Sequence, residues 1–304
     1  MQSLFIDRIA LVYYVSPSHE YSDFLNYLWS FQNDSPNKVW KTKYATKAMV
    51  RLSTSFLYLQ IGYSHYKGYV KFDFKPHAMT VADWAQLHIH LDALFESGYQ
   101  SLIEKGLVTY IEIATDIPNM TAAELFPFDQ RLTNSYRFPK PPAPPDPPTP
   151  WDTVYLGHKS SGRSTCVYDK TKHLKAKGIK TKGQRTRIEA RRKKLGLTIS
   201  TLKSMPNPFA TVGICPMSAV EAAYAEPQWQ EFLTNALRHG PQIALGLAGK
   251  RRKEYVNRLK TIQSDWWNPA TLWESFLAAV DALLHPPAES DLNPMGKDTV
   301  AAPA

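Results

Sequence analysis

Residues 107–118 read LVTYIEIATDIP. A period of two places Tyr110, Glu112, Ala114 and Asp116 on one face of a strand, with Ile111, Ile113 and Thr115 on the other. The segment ends at Pro118, which cannot donate to a strand ladder. Two carboxylates therefore share a strand face with one methyl side chain between them. A solvated face and a hard-cation site for Mg²⁺ or Mn²⁺ both account for that pattern, and spacing does not choose between them.

The same alternation runs upstream through LFIDRIALVYYV (4–15), AMVRLSTSFLYLQIGY (48–63) and YVKFDF (69–74), so a sheet with one buried face opens the chain. Between that sheet and residue 107, apolar residues spaced three and four apart predict one amphipathic helix over 81–105, capped by Thr80 and stopped by Gly106. Downstream, DTVYLG and STCVYD flank the turn-rich HKSSGR and predict a hairpin, and RTRIEARRKK (185–194) alternates again. Beyond residue 197 the pattern turns helical. These elements predict an α+β fold, an antiparallel sheet with helices packed on it, followed by a helical C-terminal region. The expected boundaries are 1–205 for the first domain, 206–285 for the helical region and 286–304 for a disordered tail poor in apolar residues. The run PKPPAPPDPPTP, holding the prolines of 139–150, cannot join a sheet interior and reads as an insertion within the first domain.

A formal charge of +9 points to an anionic partner. A membrane is the weaker choice. No window approaches ~18 uninterrupted apolar residues, and Asp7 and Arg8 interrupt the apolar N-terminal run, unlike a signal peptide. Two cysteines, Cys166 and Cys215, cannot build a disulfide framework or a thiolate zinc site, which fits a reducing cytoplasm. The absence of a P-loop and of a dinucleotide-binding glycine pattern argues against an ATPase or a Rossmann enzyme.

Three further residues carry possible chemistry. Tyr168, in CVYDK, lies where a strand gives way to a basic segment; it is either a packed aromatic or a phenol whose ionised form Lys170 and Lys172 favour. Glu189 is the one acid between Lys170 and Lys194, and reads as an ion-pair partner, a further metal ligand or an orienting group for a lysine. The surrounding cations, Lys159, Arg163, Lys172, Lys175, Arg187, Arg191 and Arg192, predict a phosphate-tracking surface rather than a loose basic loop, because strand-like segments interrupt them. His88-Ile89-His90 matches the histidine pair of many single-strand nickases. It falls within the helical pattern, where residues two apart point about 200° apart and cannot chelate one ion.

In order, YIEIATD, TVYLGHKSSGRSTCVYDK, RTRIEARRK and MPNPF resemble the replication initiation factor family of rolling-circle plasmids and filamentous phages. The likeness covers roughly residues 50 to 210. It implies a relaxase-like fold, with Glu112 and Asp116 as metal-binding acids and Tyr168 as the nucleophile. Lys170 would be its electrostatic helper, and Arg187 and Glu189 would lie on a closing strand. Tyr110 stands where the family has arginine, and Glu112 where it has aspartate. The implied activity is metal-dependent nicking of one DNA strand in a bacterial host, through a 5′-phosphotyrosine intermediate that frees a 3′-hydroxyl. Its implied partners are origin DNA, a host helicase and a second copy of the chain. A non-catalytic DNA-binding or copy-control protein is the main alternative, and a nuclease using water as nucleophile is a second.

Overall fold

The computed structural model describes residues 2–15, 20–64, 67–131, 153–157 and 162–287. The polyproline run, Lys159 and residues 288–304 of the expected tail lie outside them. The first half of the described chain runs β1 (Phe5–Val15), α1 (Glu20–Ser30), β2 (Lys38–Lys41), β3 (Ala45–Arg51), β4 (Phe56–Ser64), β5 (Lys67–Phe74), α2 (Val81–Asp92), α3 (Gly98–Lys105) and β6 (Leu107–Pro118). Then come β7 (Leu125–Asp129), β8 (Thr153–Leu156), β9 (Arg163–Asp169), α4 (Lys170–Lys175), β10 (Arg185–Thr198) and β11 (Val212–Pro216). The remainder is helical: α5 (Met217–Ala222), α6 (Pro227–His239), α7 (Pro241–Leu247), α8 (Arg252–Thr261) and α9 (Pro269–Leu284). Nine strands form one sheet in the order β2-β3-β4-β5-β1-β6-β10-β9-β8, and β11 and β7 form a separate pair. The registers from β2 to β1 and from β10 to β8 are antiparallel.

Two compact units, divided within β1, β6 and β10, make up the chain, one containing Ile6–Ile111 with Lys194–Met205, the other Glu112–Lys193 with Pro206–Phe276. The C-terminal region is helical from Met217 on, and its residues to Phe276 fall in the second unit. In the first unit, Leu57, Leu59 and Ile61 of β4, Val70 and Phe72 of β5, and Ile9 and Leu11 of β1 turn to one side and are buried. Helix α1 supplies Phe24 and Leu28 to that core, and α2 supplies Leu87 and Leu91. Each such side chain contributes about 1.5–3 kcal/mol by leaving water. In the second unit, Phe126 and Phe128 of β7 and Cys215 of β11 share a core with Trp229 and Phe232 of α6 and Tyr255 and Leu259 of α8.

Three segments differ from the sequence expectation, each for a local reason. The run 48–63 is a hairpin of β3 and β4: apolar residues occupy even positions through Leu52 and odd ones from Leu57, and Leu52 N donates to Ser55 O at 3.0 Å across the turn. The expected single helix is two, because Gly98 adopts φ +47° at the start of α3, a conformation that a helix interior does not contain. Its predicted start holds, with Thr80 and Asp83 closing a reciprocal capping box on α2. The region after residue 205 opens with a strand: in β11, VGICP, buried residues run consecutively, and such a pattern has no period to distinguish strand from helix.

Candidate active site

Strand β6 brings Glu112 and Asp116 into the site, but a strand rises about 3.3 Å per residue, so positions four apart lie ~13 Å apart along it. The two acids consequently have separate partners. Asp116 takes both arms of the Arg187 guanidinium, Nε at 2.6 Å from Oδ1 and Nη2 at 2.9 Å from Oδ2, with Arg185 Nη1 3.7 Å from Oδ2. Arg187 is buried, and its guanidinium carbon lies 4.9 Å from the centre of the Phe5 ring. Asp116 and Arg187 thus form an internal clamp between neighbouring strands. A buried arginine held this way is not positioned to track a phosphate backbone, which corrects the expected role of Arg187.

Glu112 belongs to a different group. Glu112 and Glu189 offer carboxylate oxygens within 4.8 Å of each other, and both residues are buried. Carboxylate oxygens suit a hard divalent cation, and this pair could hold a metal ion. Arg191 Nε stands 2.7 Å from Glu189 Oε1 and 3.3 Å from Glu112 Oε1, so the acids already draw one cation between them. Asp116, expected beside Glu112 as a metal-binding acid, is instead engaged by Arg187.

Tyr168 stands beside this cluster. Along β9 and β10, Tyr168 pairs with Arg187, and Cys166 with Glu189. That diagonal lets the Tyr168 hydroxyl donate to Glu189 Oε2 at 3.2 Å. Tyr168 is half-buried, Lys170 Nζ lies 5.9 Å from the ring centre, and His173 meets the ring edge-on at 5.7 Å. Asp169 caps α4 by accepting from Lys172 N at 2.7 Å, which starts a helix directly after the tyrosine and fixes where Lys170 and His173 emerge.

A second tyrosine, not singled out from the sequence, lies in the same neighbourhood. Tyr155 pairs with Cys166, itself the partner of Glu189. Burial, followed by the neighbouring Cys166 and Glu189, raises its pKa, while Arg191 opposes the rise. That shift biases the Tyr155 phenol toward its neutral form. Of the expected phosphate contacts, Arg163, Lys172 and Lys175 are exposed. Arg192 is directed inward, donating to the carbonyls of Ser164, Arg191 and Pro208. His88 and His90 lie in α2 as the helical pattern predicts: His90 Nδ1 is 2.7 Å from the Tyr27 hydroxyl, and His88 meets the ring of Tyr99.

Fold and site together define an α+β protein with a large antiparallel sheet and a tyrosine bonded to a carboxylate cluster. No family model matches the chain, and no curated protein matches it. Among solved structures three chains match. One is a rolling circle replication initiator protein from Geobacillus stearothermophilus, with a TM-score of 0.34 and 13% identity over 64% of this chain and 75% of that one. A likeness of this degree identifies no activity. Among the described residues no helix is long and apolar enough to cross a membrane.

Proposed function

We propose that this chain initiates rolling-circle replication of a plasmid or filamentous phage by nicking one strand of origin DNA with Tyr168. The carrying observation is the 3.2 Å hydrogen bond from the Tyr168 hydroxyl to Glu189, a member of the carboxylate cluster. In this reading Glu189 accepts the phenolic proton as the tyrosine oxygen bonds to phosphorus. The bond from phosphorus to the 3′-oxygen breaks, its electron pair stays on that oxygen, and a proton completes the free 3′-hydroxyl. Lys170 stabilises the phenolate and the phosphate alike. The 5′-phosphotyrosine conserves the phosphodiester energy, so reversal can rejoin the strand. Glu112 and Glu189 are the residues that would hold Mg²⁺ or Mn²⁺, and such an ion would polarise the phosphoryl oxygens and offset charge on the leaving group. Arg163, Lys172 and Lys175 would track the flanking backbone.

One observation favours a second reading. Arg191 already bridges Glu112 and Glu189, so the cluster could be an ion-pair network in a non-catalytic DNA-binding protein. Incubation with Mn²⁺ and end-labelled single-stranded or supercoiled origin DNA separates the two. The initiator leaves a protein–DNA adduct that survives denaturation, whereas the binder leaves salt-sensitive retention and intact DNA. Unattached 5′-phosphate ends would identify water as the nucleophile.

A further inference from the structure

We infer that the open face of the sheet formed by β2, β3, β4, β5 and β1 is a stacking platform for a single strand of DNA, built from aromatic rings interleaved with lysines. The opposite face of these strands is the apolar core closed by α1 and α2. On the open face, Trp40, Lys47, Gln60 and Lys71 are successive cross-strand partners from β2 to β5. The adjacent row runs Lys38, Met49, Tyr58 and Asp73, and Tyr14 pairs with Tyr69 in a third. Trp40 is 41% exposed, Tyr58 44% and Tyr14 51%.

Two details show that the Tyr69 ring is held in place. Gly62 faces Tyr69 across β4 and β5, and a Cβ there would lie 2.8 Å from the Tyr69 hydroxyl oxygen, so the missing side chain lets the tyrosine lie across the strand. Gln60 Nε2 then donates to that hydroxyl at 2.5 Å and holds the ring in place. Charge is arranged as well. Asp73, the acid in these rows, is held by both arms of Arg8 at 2.8 Å each, which leaves the face basic in character. Lysines on an edge strand deter sheet-to-sheet pairing, which accounts for Lys38 on β2. It does not account for Lys47 on an interior strand between aromatic rows, where Lys71, 3.9 Å from Asp73 Oδ2, adds a second cation. Aromatic faces offering base stacking, with cations to follow the phosphates, are the two requirements for holding a single strand without reading its sequence. The choice of DNA over RNA rests on the proposed chemistry of Tyr168; the stacking does not.

The test is equilibrium binding of a fluorescein-labelled oligothymidylate to the full chain carrying Tyr168→Phe, in EDTA, so that nicking has no part in the result. Trp40→Ala with Tyr58→Ala is expected to weaken binding at least about tenfold, and Trp40→Phe with Tyr58→Phe to restore most of it. Lys47→Glu with Lys71→Glu is expected to weaken binding and flatten its salt dependence by about 0.7 per lysine in log–log slope. Unchanged affinity in the alanine pair, with the fold intact by circular dichroism, would overturn the inference. So would duplex DNA or an oligouridylate that competes better than the DNA strand. Failure here leaves adduct formation by the unaltered protein with Mn²⁺ as a separate result, so each reading can fail without the other.

Discussion

The Tyr168 hydroxyl donates to Glu189 Oε2 at 3.2 Å, while the other oxygen of the same carboxylate accepts from Arg191 at 2.7 Å. Glu189 thereby links Tyr168, the proposed nucleophile, to Arg191, which also stands 3.3 Å from Glu112 Oε1. Glu189→Gln keeps the shape but loses the base and the charge. It is expected to slow adduct formation by about 10²-fold or more, with oligonucleotide affinity changed less than threefold. Single-turnover kinetics beside a binding isotherm measures both, and an adduct rate near that of the unaltered protein would remove Glu189 from the chemistry.

Tyr155 is the internal control for Tyr168. It lies on the adjacent strand in the row of Glu189, and burial raises the pKa of its hydroxyl above the ordinary value. Tyr155→Phe is expected to retain covalent capture and Tyr168→Phe to abolish it, as read by denaturing electrophoresis of labelled DNA. The opposite pattern would reassign the nucleophile.

Asp116 and Arg187 predict a stability effect distinct from a metal effect. Asp116→Ala leaves a buried guanidinium without its bidentate partner, a loss of about 3–5 kcal/mol, visible as a large fall in Tm. The Mn²⁺-dependent rise in Tm is expected to survive in Asp116→Asn if that variant folds, and to vanish in Glu112→Gln, because binding to the native state alone raises its stability. Arg191→Ala is expected to bind Mn²⁺ at least as tightly as the unaltered chain, since it removes the cation that competes for the same carboxylates.

Asp83 gives a pH dependence remote from the site. Burial alone would raise its pKa, but bonds from Thr80, Thr54 and Ser55 outweigh burial and hold the carboxyl well below its usual range. A depressed folded-state pKa supplies stability that is present above the unfolded value, about 3.9, and is lost as pH falls through the folded value. Asp83→Asn is expected to lower Tm at pH 7 and to flatten its decline in acid, which thermal melts between pH 2 and 7 would show.

Much of the sheet was legible because its strands alternate: β1, β5, β6 and the β8–β9 hairpin follow directly from period two. The turn between β3 and β4 was legible in principle, since the apolar phase changes between Leu52 and Leu57. Strand β11 was not, because it is buried on both sides and has no period. At the candidate site, the strand face of Glu112 was legible, whereas the bond from Tyr168 to Glu189 was not, because it depends on the register of β9 against β10. Asp116 was misleading for a geometric reason: sharing a strand face at four residues' separation is not the same as reaching one ion.

The most direct measurement is peptide mapping by mass spectrometry of the protein recovered from a reaction with Mn²⁺ and an origin oligonucleotide, after nuclease trimming of the DNA. A nucleotide phosphate attached to the peptide containing Tyr168, and absent when Mn²⁺ is replaced by EDTA, is the predicted result. A modified peptide elsewhere, or cleaved DNA with no modified peptide, would contradict the account.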